Sequence, residues 1–171
     1  MKIVSLLPSS TEIVCKLGFR ENLVGVSHEC DYPLSVKDLP ILTKPRFSPI
    51  ESSQKIDNSV QDLLKKGLSV YEVNTDLLKN LAPDLIITQA QCEACAVSLN
   101  DVKEAVSDWV GNKPDIVSLE PNYLDEVWSD FEKVGEKLNC TDSYLKCISE
   151  IELRLEKFKQ KSKQIIKRQS L

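Results

Sequence analysis

Short apolar segments rich in β-branched residues alternate with segments of helical periodicity along this chain of 171 residues. Each β-branched segment is a compact apolar run, which predicts a buried strand of a parallel sheet. The main segments are KIVSLL (residues 2–7), NLVGVS (22–27), DLIITQ (84–89) and PDIVSLE (114–120). Strands that alternate with helices predict an α/β fold, in which a parallel sheet carries helices on both faces.

Capping residues and apolar repeats mark the helices between these strands. Ser9 and Glu12 are predicted to form a capping box for the first helix, and Thr75 is predicted to cap a later one. Apolar residues at helical spacing follow both positions. Further elements are predicted as helices at residues 59–66, 76–81, 100–110 and 122–138, and as short strands at 41–42 and 69–74.

The C-terminal segment differs in composition from the rest of the chain. Residues 142–168 consist mainly of helix formers, without glycine or proline, and predict one long helix of about 40 Å. A mainly apolar stripe recurs at spacings of four and three: Tyr144, Ile148, Ile151, Leu155, Phe158, Ser162 and Ile165. Such a helix packs across its own domain, pairs with a partner helix in a homodimer, or leads into another part of the protein.

The net charge and the lack of long apolar segments argue against two classes of partner, nucleic acid and the membrane interior. A formal net charge of −4 and a pI of about 5.2 argue against nucleic acid as a partner. The apolar run at the amino terminus stops at Pro8 without a small-residue cleavage site, and no later segment reaches the length of a membrane span. We therefore expect a cytoplasmic protein without membrane insertion, or a periplasmic one if a signal was removed before Met1.

Three polar segments each follow a predicted strand: PSST (8–11), HECDYP (28–33) and QCEACAVS (91–98). They would emerge at the carboxyl ends of their strands, which is where open parallel sheets bind ligands. If those strands are neighbours, polar side chains and thiols crowd one edge beside the helix that begins at Ser9. The residues brought together would be His28, Glu29, Cys30, Asp31, Cys92, Glu93 and Cys95.

Two kinds of cysteine chemistry fit this group. Cys92 and Cys95 form a Cys-x-x-Cys pair, and with Cys30 and His28 they make a Cys3His set that suits zinc or another soft metal. A redox pair would need Cys92 to have a lowered pKa, and the neighbouring carboxylate of Glu93 opposes this. The alternative is that the cysteines are small, partly buried loop residues without a chemical role.

Capture of a small molecule is the third chemistry. The edge offers hydrogen-bond donors, carboxylates and the ring of Tyr32, and Arg46 lies on the proline-rich loop that follows. Arg46 could equally point into solvent, as most single arginines do. The sequence contains no nucleophile-elbow, Walker or Rossmann glycine motif, so we do not expect an enzyme.

Four stretches of the sequence resemble a known family. They are KIVSLLPSSTEIVCKLG, LVGVSHECDYP, LAPDLIITQAQCEACAVS and IVSLEPNYLDEVWSDFEKVG. Together they are similar to the amino-terminal lobe of the class III periplasmic-binding-protein-like family, the substrate-binding proteins of vitamin B12 and iron-siderophore ABC transporters. The resemblance covers residues 2 to about 160, and it is strongest to a signal-less branch known as cobalamin-binding proteins.

The resemblance implies a fold and a function. Residues 1–140 would be a Rossmann-like α/β substrate-binding lobe and 141–171 the long connecting helix, with the second lobe absent. The implied function is non-enzymatic binding of a corrinoid (cobalamin-like) or other metal-chelate small molecule. Either two copies would face each other through the long helix to complete the cleft, or a truncated protein would bind the ligand weakly or not at all. The residues predicted to bind the ligand are Pro8, Ser9, Ser10, His28, Glu29, Asp31, Tyr32, Arg46, Gln89 and Glu93.

Overall fold

The computed structural model describes residues 1–48, 50–65, 69–89, 99–109 and 113–163. Its strands are β1 (Ile3–Ser5), β2 (Leu23–Val26), β3 (Thr43–Pro45), β4 (Tyr71–Val73), β5 (Leu85–Gln89) and β6 (Asp115–Leu119). Its helices are α1 (Pro8–Lys16), α2 (Ser53–Lys65), α3 (Thr75–Leu81), α4 (Leu99–Ala105), α5 (Leu124–Lys137) and α6 (Thr141–Lys163). The order of elements confirms the predicted α/β fold with one long helix at its end.

Four of the strands form one parallel sheet in the order β2, β1, β5, β6. β1 occupies a central position, with Val4 opposite Gly25 of β2 and Ile86 of β5. β5 pairs in turn with β6 along its whole length. Because both faces of this sheet are covered, its strands read as continuous apolar runs, which is the pattern that the sequence displays.

Alternate residues of the central strands feed two separate apolar clusters. On one face, Ile3 and Ile87 pack with side chains from α1, α5 and α6, including the buried Val14 and Phe131. On the other face, Val4 and Ile86 pack with side chains from α3 and α4. The helices therefore cover both faces of the sheet, as the alternation of strands and helices predicts.

A short antiparallel pair, β3 with β4, lies beside the end of β2. Thr43 pairs with Val73, and Pro45 pairs with Tyr71. The strand predicted at residues 41–42 is wrong in its position, since Ile41 makes only an isolated bridge to Val26 and the strand itself begins at Thr43. The bridge extends the edge of the large sheet and attaches the antiparallel β3–β4 pair to it.

Two predicted helix caps differ from the structure. α1 begins at Pro8 with Leu7 as the N-cap residue and no side-chain cap, so the capping box of Ser9 and Glu12 is wrong. Proline suits the first helical position because its missing N–H has no partner there in any case. Likewise Asn74, not Thr75, caps α3, and its Oδ1 accepts a hydrogen bond of 3.0 Å from the backbone N–H of Leu77.

The long helix α6 packs on the rest of the protein along its first half. Tyr144 and Cys147 are buried, and Cys147 lies against the carboxyl end of α1, where its Sγ is 3.7 Å from the carbonyl of Lys16. Further along α6, Arg154 shares a groove with Ser9 at the start of α1. α6 therefore runs antiparallel to α1, toward the carboxyl ends of the strands.

The second half of α6 continues beyond this packing. Residues 155–163 add about 13 Å of helix at about 1.5 Å per residue. Phe158, predicted as part of the apolar stripe, is 62% exposed, whereas Ile148 and Ile151 pack against the core. Ile165 lies outside the described residues. Within the described ranges, the structure has no helix that is long and apolar enough to cross a membrane.

The contact between α5 and α6 generates a prediction. A methyl group on Gly135 would overlap the ring of Tyr144, whose Cγ would lie 2.9 Å away. We expect Gly135→Ala to lower the free energy of unfolding by about 1–3 kcal/mol, despite the better helix propensity of alanine. Chemical denaturation measures this change. In a Tyr144→Ala background the same substitution should cost clearly less, and an equal cost in both backgrounds would contradict the proposed overlap.

Candidate functional site

The carboxyl ends of neighbouring strands meet at one edge of the sheet, which we call the carboxyl edge. β2, β1 and β5 are adjacent, so Val26, Ser5 and Gln89 end their strands side by side, and the predicted polar segments 8–11 and 28–33 follow two of these ends. Cys92, Glu93 and Cys95 lie outside the described residues. β6 adds residues 120–123 to the same edge, a contribution that the sequence did not single out.

Buried hydroxyl groups hold the turn that follows β1. Ser10 Oγ lies 2.5 Å from Ser5 Oγ and donates to the carbonyl of Leu7, and Thr11 Oγ1 donates to Ser5 Oγ at 2.7 Å. Ser5, Ser10 and Thr11 are all fully buried. The side chain of Ser10, predicted to bind ligand, therefore supports the turn and does not reach the surface, whereas Ser9 in the same turn is exposed.

Cys30 belongs to the apolar core rather than to the surface of the edge. Its side chain is 7% exposed, packs in the cluster under α1, and lies 3.1 Å from Thr11 Oγ1. Burial raises the pKa of the Cys30 thiol, which disfavours the thiolate that a metal would need. Across the described ranges, no group of three or more His, Cys, Asp and Glu side chains is placed to hold a metal ion. The structure thus gives no support to a metal set built on Cys30 and His28.

His28 is held by a hydroxyl group of the antiparallel β3–β4 pair. Its Nδ1 lies 2.6 Å from Thr43 Oγ1, and its backbone N–H donates to the same oxygen at 3.0 Å. Thr43 is buried, and its hydroxyl also contacts Ser27 Oγ at 3.0 Å. The imidazole, which is half-buried, is therefore fixed at the end of β2 by a group that is fixed in turn.

Tyr71 of β4 completes this cluster. Its ring lies 5.0 Å from the ring of His28, centroid to centroid, at an interplanar angle of 59°. The Tyr71 hydroxyl donates to Glu29 Oε1 at 2.9 Å. Burial, together with this hydrogen bond and the charge of Glu29, raises the pKa of Tyr71 to about 12. The β3–β4 pair thus contacts His28 and Glu29, two consecutive residues of the loop after β2. The sequence did not predict Thr43 or Tyr71 as a site residue.

Arg46, predicted as a ligand-binding residue, bonds to residues of β4 instead. Its Nε donates to the carbonyl of Tyr71 at 3.2 Å, and its guanidinium lies 3.4 Å from the carboxylate of Glu72. Lys44 pairs with the same carboxylate at 2.7 Å. In this arrangement Arg46 braces β3 against β4, so it supports the position of Tyr71 more directly than it serves a ligand.

The exposed part of the carboxyl edge is formed by other residues of the predicted set. Ser9, Glu29 and Asp31 are exposed, and Pro8 and Gln89 are half-buried. Two aromatic rings flank them, since Tyr32 is 62% exposed and Tyr123, at the start of α5, is 71% exposed. The surface therefore offers carboxylates, a hydroxyl group and aromatic rings in one region.

A groove of about 600 Å³ adjoins this region between α1, α5 and α6. Its lining includes Ser9 and Tyr32 from the edge, Phe131 from α5, and Ile151 and Arg154 from α6. The groove follows the helix-covered face, away from the ends of the strands. We assign the candidate site to the carboxyl edge, because that is where the polar loops of several strands converge.

The contact between Tyr71 and Glu29 generates a prediction. We expect Tyr71 to ionise near pH 12, identified as the absorbance change that Tyr71→Phe removes. Because its folded-state pKa is raised from 10.0, Tyr71 stabilises the fold below about pH 10, and this contribution is lost as the pH rises toward 12. Glu29→Gln should lower the midpoint pH of the Tyr71 titration. It should not bring that midpoint back to the ordinary value of 10.0, because burial is the larger cause of the raised pKa. Asp31→Asn is the control: it changes a nearby exposed carboxylate that is not among the causes of the raised Tyr71 pKa, so the midpoint should stay as in the unchanged chain. An unchanged midpoint in Glu29→Gln would contradict the assignment.

Solved structures with a similar fold are periplasmic binding proteins. Heme-binding RhuT from Roseiflexus sp. RS-1 has a TM-score of 0.67 and 21% identity, covering 97% of this chain and 51% of that chain. Vitamin B12 binding protein BtuF of Vibrio cholerae has a TM-score of 0.66 and 19% identity, covering 95% and 51%. Heme binding protein HutB of Vibrio cholerae has a TM-score of 0.66 and 14% identity, covering 94% and 50%. At these identities the likeness concerns the fold alone.

Two further comparisons bear on the whole sequence. This chain spans about half the length of the solved proteins that it resembles. No curated protein matches its sequence. The sequence model of the periplasmic binding protein family, however, matches residues 3–171, which is nearly the entire chain. The fold and this match agree, and the chain belongs to the periplasmic binding protein family.

Proposed function

We propose that this chain is a non-enzymatic binding module that holds a metal-chelate small molecule of the corrinoid class at the carboxyl edge. The observation that carries the proposal is the convergence of the loops after β1, β2 and β6, together with the carboxyl end of β5, on one edge of a single sheet. In open α/β sheets such an edge is the usual place for a ligand. The vitamin B12 and heme binding proteins with this fold supply the ligand class.

The exposed side chains suit the recognition of a large, flat ligand. Tyr32 and Tyr123 present aromatic rings that can stack on a macrocycle, and such contacts contribute about 0.5–1.5 kcal/mol each beyond the area that they bury. The carboxylates of Glu29 and Asp31 and the hydroxyl of Ser9 can accept hydrogen bonds from the amide side chains of a corrinoid. The rings would provide most of the affinity and the polar groups the orientation.

The same geometry argues against catalysis. In the part of the chain that the structure describes, the hydroxyl that bonds to the imidazole of His28 is that of Thr43, which is 4% exposed and already bonded to Ser27. A nucleophile must reach a substrate, and this oxygen cannot do so without breaking the cluster that positions the histidine. The contacts of His28 therefore favour a role in holding a ligand.

We propose that residues 1–140 form one substrate-binding lobe and that residues 141–171 form the helix that connects it to the other side of the cleft. The packing of α6 supports this division, because its first half is anchored on α1 and α5 while residues 155–163 extend past the carboxyl edge. The other side would come from a second lobe or from a second copy of the chain. For localisation we favour the periplasmic alternative, because the solved relatives are described as periplasmic.

A binding measurement tests the proposed function. We expect cobinamide to bind this chain with weak affinity in equilibrium dialysis, because an open edge encloses little of the ligand. Tyr32→Ala should weaken binding about 2–10-fold, as the loss of one aromatic contact implies. Leu145→Ala removes a similarly exposed apolar side chain from α6 and should leave binding unchanged. The absence of binding at millimolar cobinamide and heme would overturn the proposal.

A further inference from the structure

The contacts of His28 specify which of its ring nitrogens is available to a ligand. Nδ1 is occupied by Thr43 Oγ1 at 2.6 Å. Among the residues that the structure describes, no group forms a hydrogen bond with Nε2. His28 also lies two residues after the end of β2, on the edge where the ligand is proposed to lie. The structure thus presents a histidine that is anchored through one nitrogen and has its other nitrogen unused by the described fold.

The hydrogen bonds around Thr43 are consistent with one tautomer of this histidine. Thr43 Oγ1 accepts from the backbone N–H of His28 and can accept from Nδ1–H as well, using both of its lone pairs. Its single proton is then directed to Ser27 Oγ, 3.0 Å away. With the proton on Nδ1, the lone pair of the imidazole is on Nε2, where it can coordinate a metal.

This pattern is the one that metal-binding histidines share. Such a histidine donates its second ring N–H to an oxygen, which fixes the tautomer, orients the ring and raises the basicity of the coordinating nitrogen. In this chain Thr43 supplies that oxygen from a buried position, and the ring of Tyr71 limits the rotation of the imidazole from one side. The thiol of Cys30, by contrast, faces the core beside Thr11 and is not presented to a ligand at the edge.

We propose that His28 coordinates the metal of the bound chelate through Nε2 and that Thr43 is its positioning residue. The inference rests on the proposed function and defines its ligand more narrowly. In the binding step the bond between the metal and an axial water breaks, the water leaves, and a bond forms between the metal and Nε2. The oxidation state of the metal does not change, and no proton is transferred.

The chemistry selects among the chelates that such an edge could hold. A corrinoid or heme with an exchangeable axial position can accept a nitrogen from the protein. A ferric siderophore whose six positions are already filled by its own oxygens cannot, unless the chelate is first taken apart. The site would therefore favour macrocyclic chelates with an open axial position over saturated ferric siderophores.

The experiment uses the absorption spectrum of the metal complex as its readout. His28 is the only histidine in the chain, so in protein purified without a tag any imidazole signature belongs to it. We expect diaquacobinamide to show a spectral shift on addition of the protein, and dicyanocobinamide, whose axial positions are blocked, to show none. His28→Ala should abolish the shift.

Variants of Thr43 separate positioning from general stability. Thr43→Val keeps the shape but removes the hydroxyl, and it should weaken the coordinated complex about 10–100-fold, as the loss of such a partner does at other metal sites. Thr43→Ser keeps the hydroxyl and should retain the shift even if the fold is less stable. Circular dichroism of each variant checks that the loss is not due to unfolding.

Each outcome bears on one of the two proposals. If cobinamide binds but the shift persists in His28→Ala, or if ferrioxamine binds as tightly as diaquacobinamide, axial coordination is overturned while the binding function stands. If neither cobinamide nor heme binds the unchanged chain, the proposed function fails and the coordination fails with it. A shift that Thr43→Val and Thr43→Ser lose equally would overturn the role of the Thr43 hydroxyl alone.

Discussion

The central position of β1 is the constraint on which the site depends. β1 pairs in parallel with β2 on one side and with β5 on the other, so all three strands end at the same edge. Parallel strands need crossover connections, and the helices in those connections cover both faces of the sheet with apolar side chains. Polar loop residues cannot be buried against those apolar helix faces, so they lie at the edge of the sheet where the strands end. The burial of Ile3, Val4, Ile86 and Ile87 thereby determines where polar chemistry can occur.

The antiparallel β3–β4 pair then converts a loop into an ordered site. A histidine at the end of a strand would ordinarily sample several rotamers, and fixing one of them costs side-chain entropy. Here the cost is met during folding, because the contacts of Thr43 and Tyr71 with His28 are part of the fold itself. Arg46 belongs to the same mechanism, since its hydrogen bond from β3 to β4 holds the strand that carries Tyr71. The β3–β4 pair therefore preorganises the edge.

The sequence predicts some of these features and not others, for physical reasons. Burial on both faces makes each central strand a continuous apolar run, so the sheet, its helices and the shared edge were predictable from periodicity. Thr43 and Tyr71 were not, because their position depends on antiparallel pairing between short strands, and neither strand alone specifies its partner. Ser10 and Cys30 have polar neighbours in sequence, yet the start of α1 directs the first side chain inward and the loop after β2 directs the second. Polarity of the neighbours is a poor guide to which face of a loop a side chain occupies.

An open edge also changes which interactions can provide selectivity. A ligand held in an enclosed cleft is selected by shape, because every mismatched group must lose water or collide with a wall. At the carboxyl edge, stacking on Tyr32 and Tyr123 would admit many flat molecules, since stacking discriminates weakly among them. A coordinate bond to His28 differs, because its strength depends on one metal and one nitrogen and not on enclosure. The more open the site is, the larger the share of selectivity that such a bond would have to provide, and under the proposed coordination the specificity would depend on the residues that orient His28.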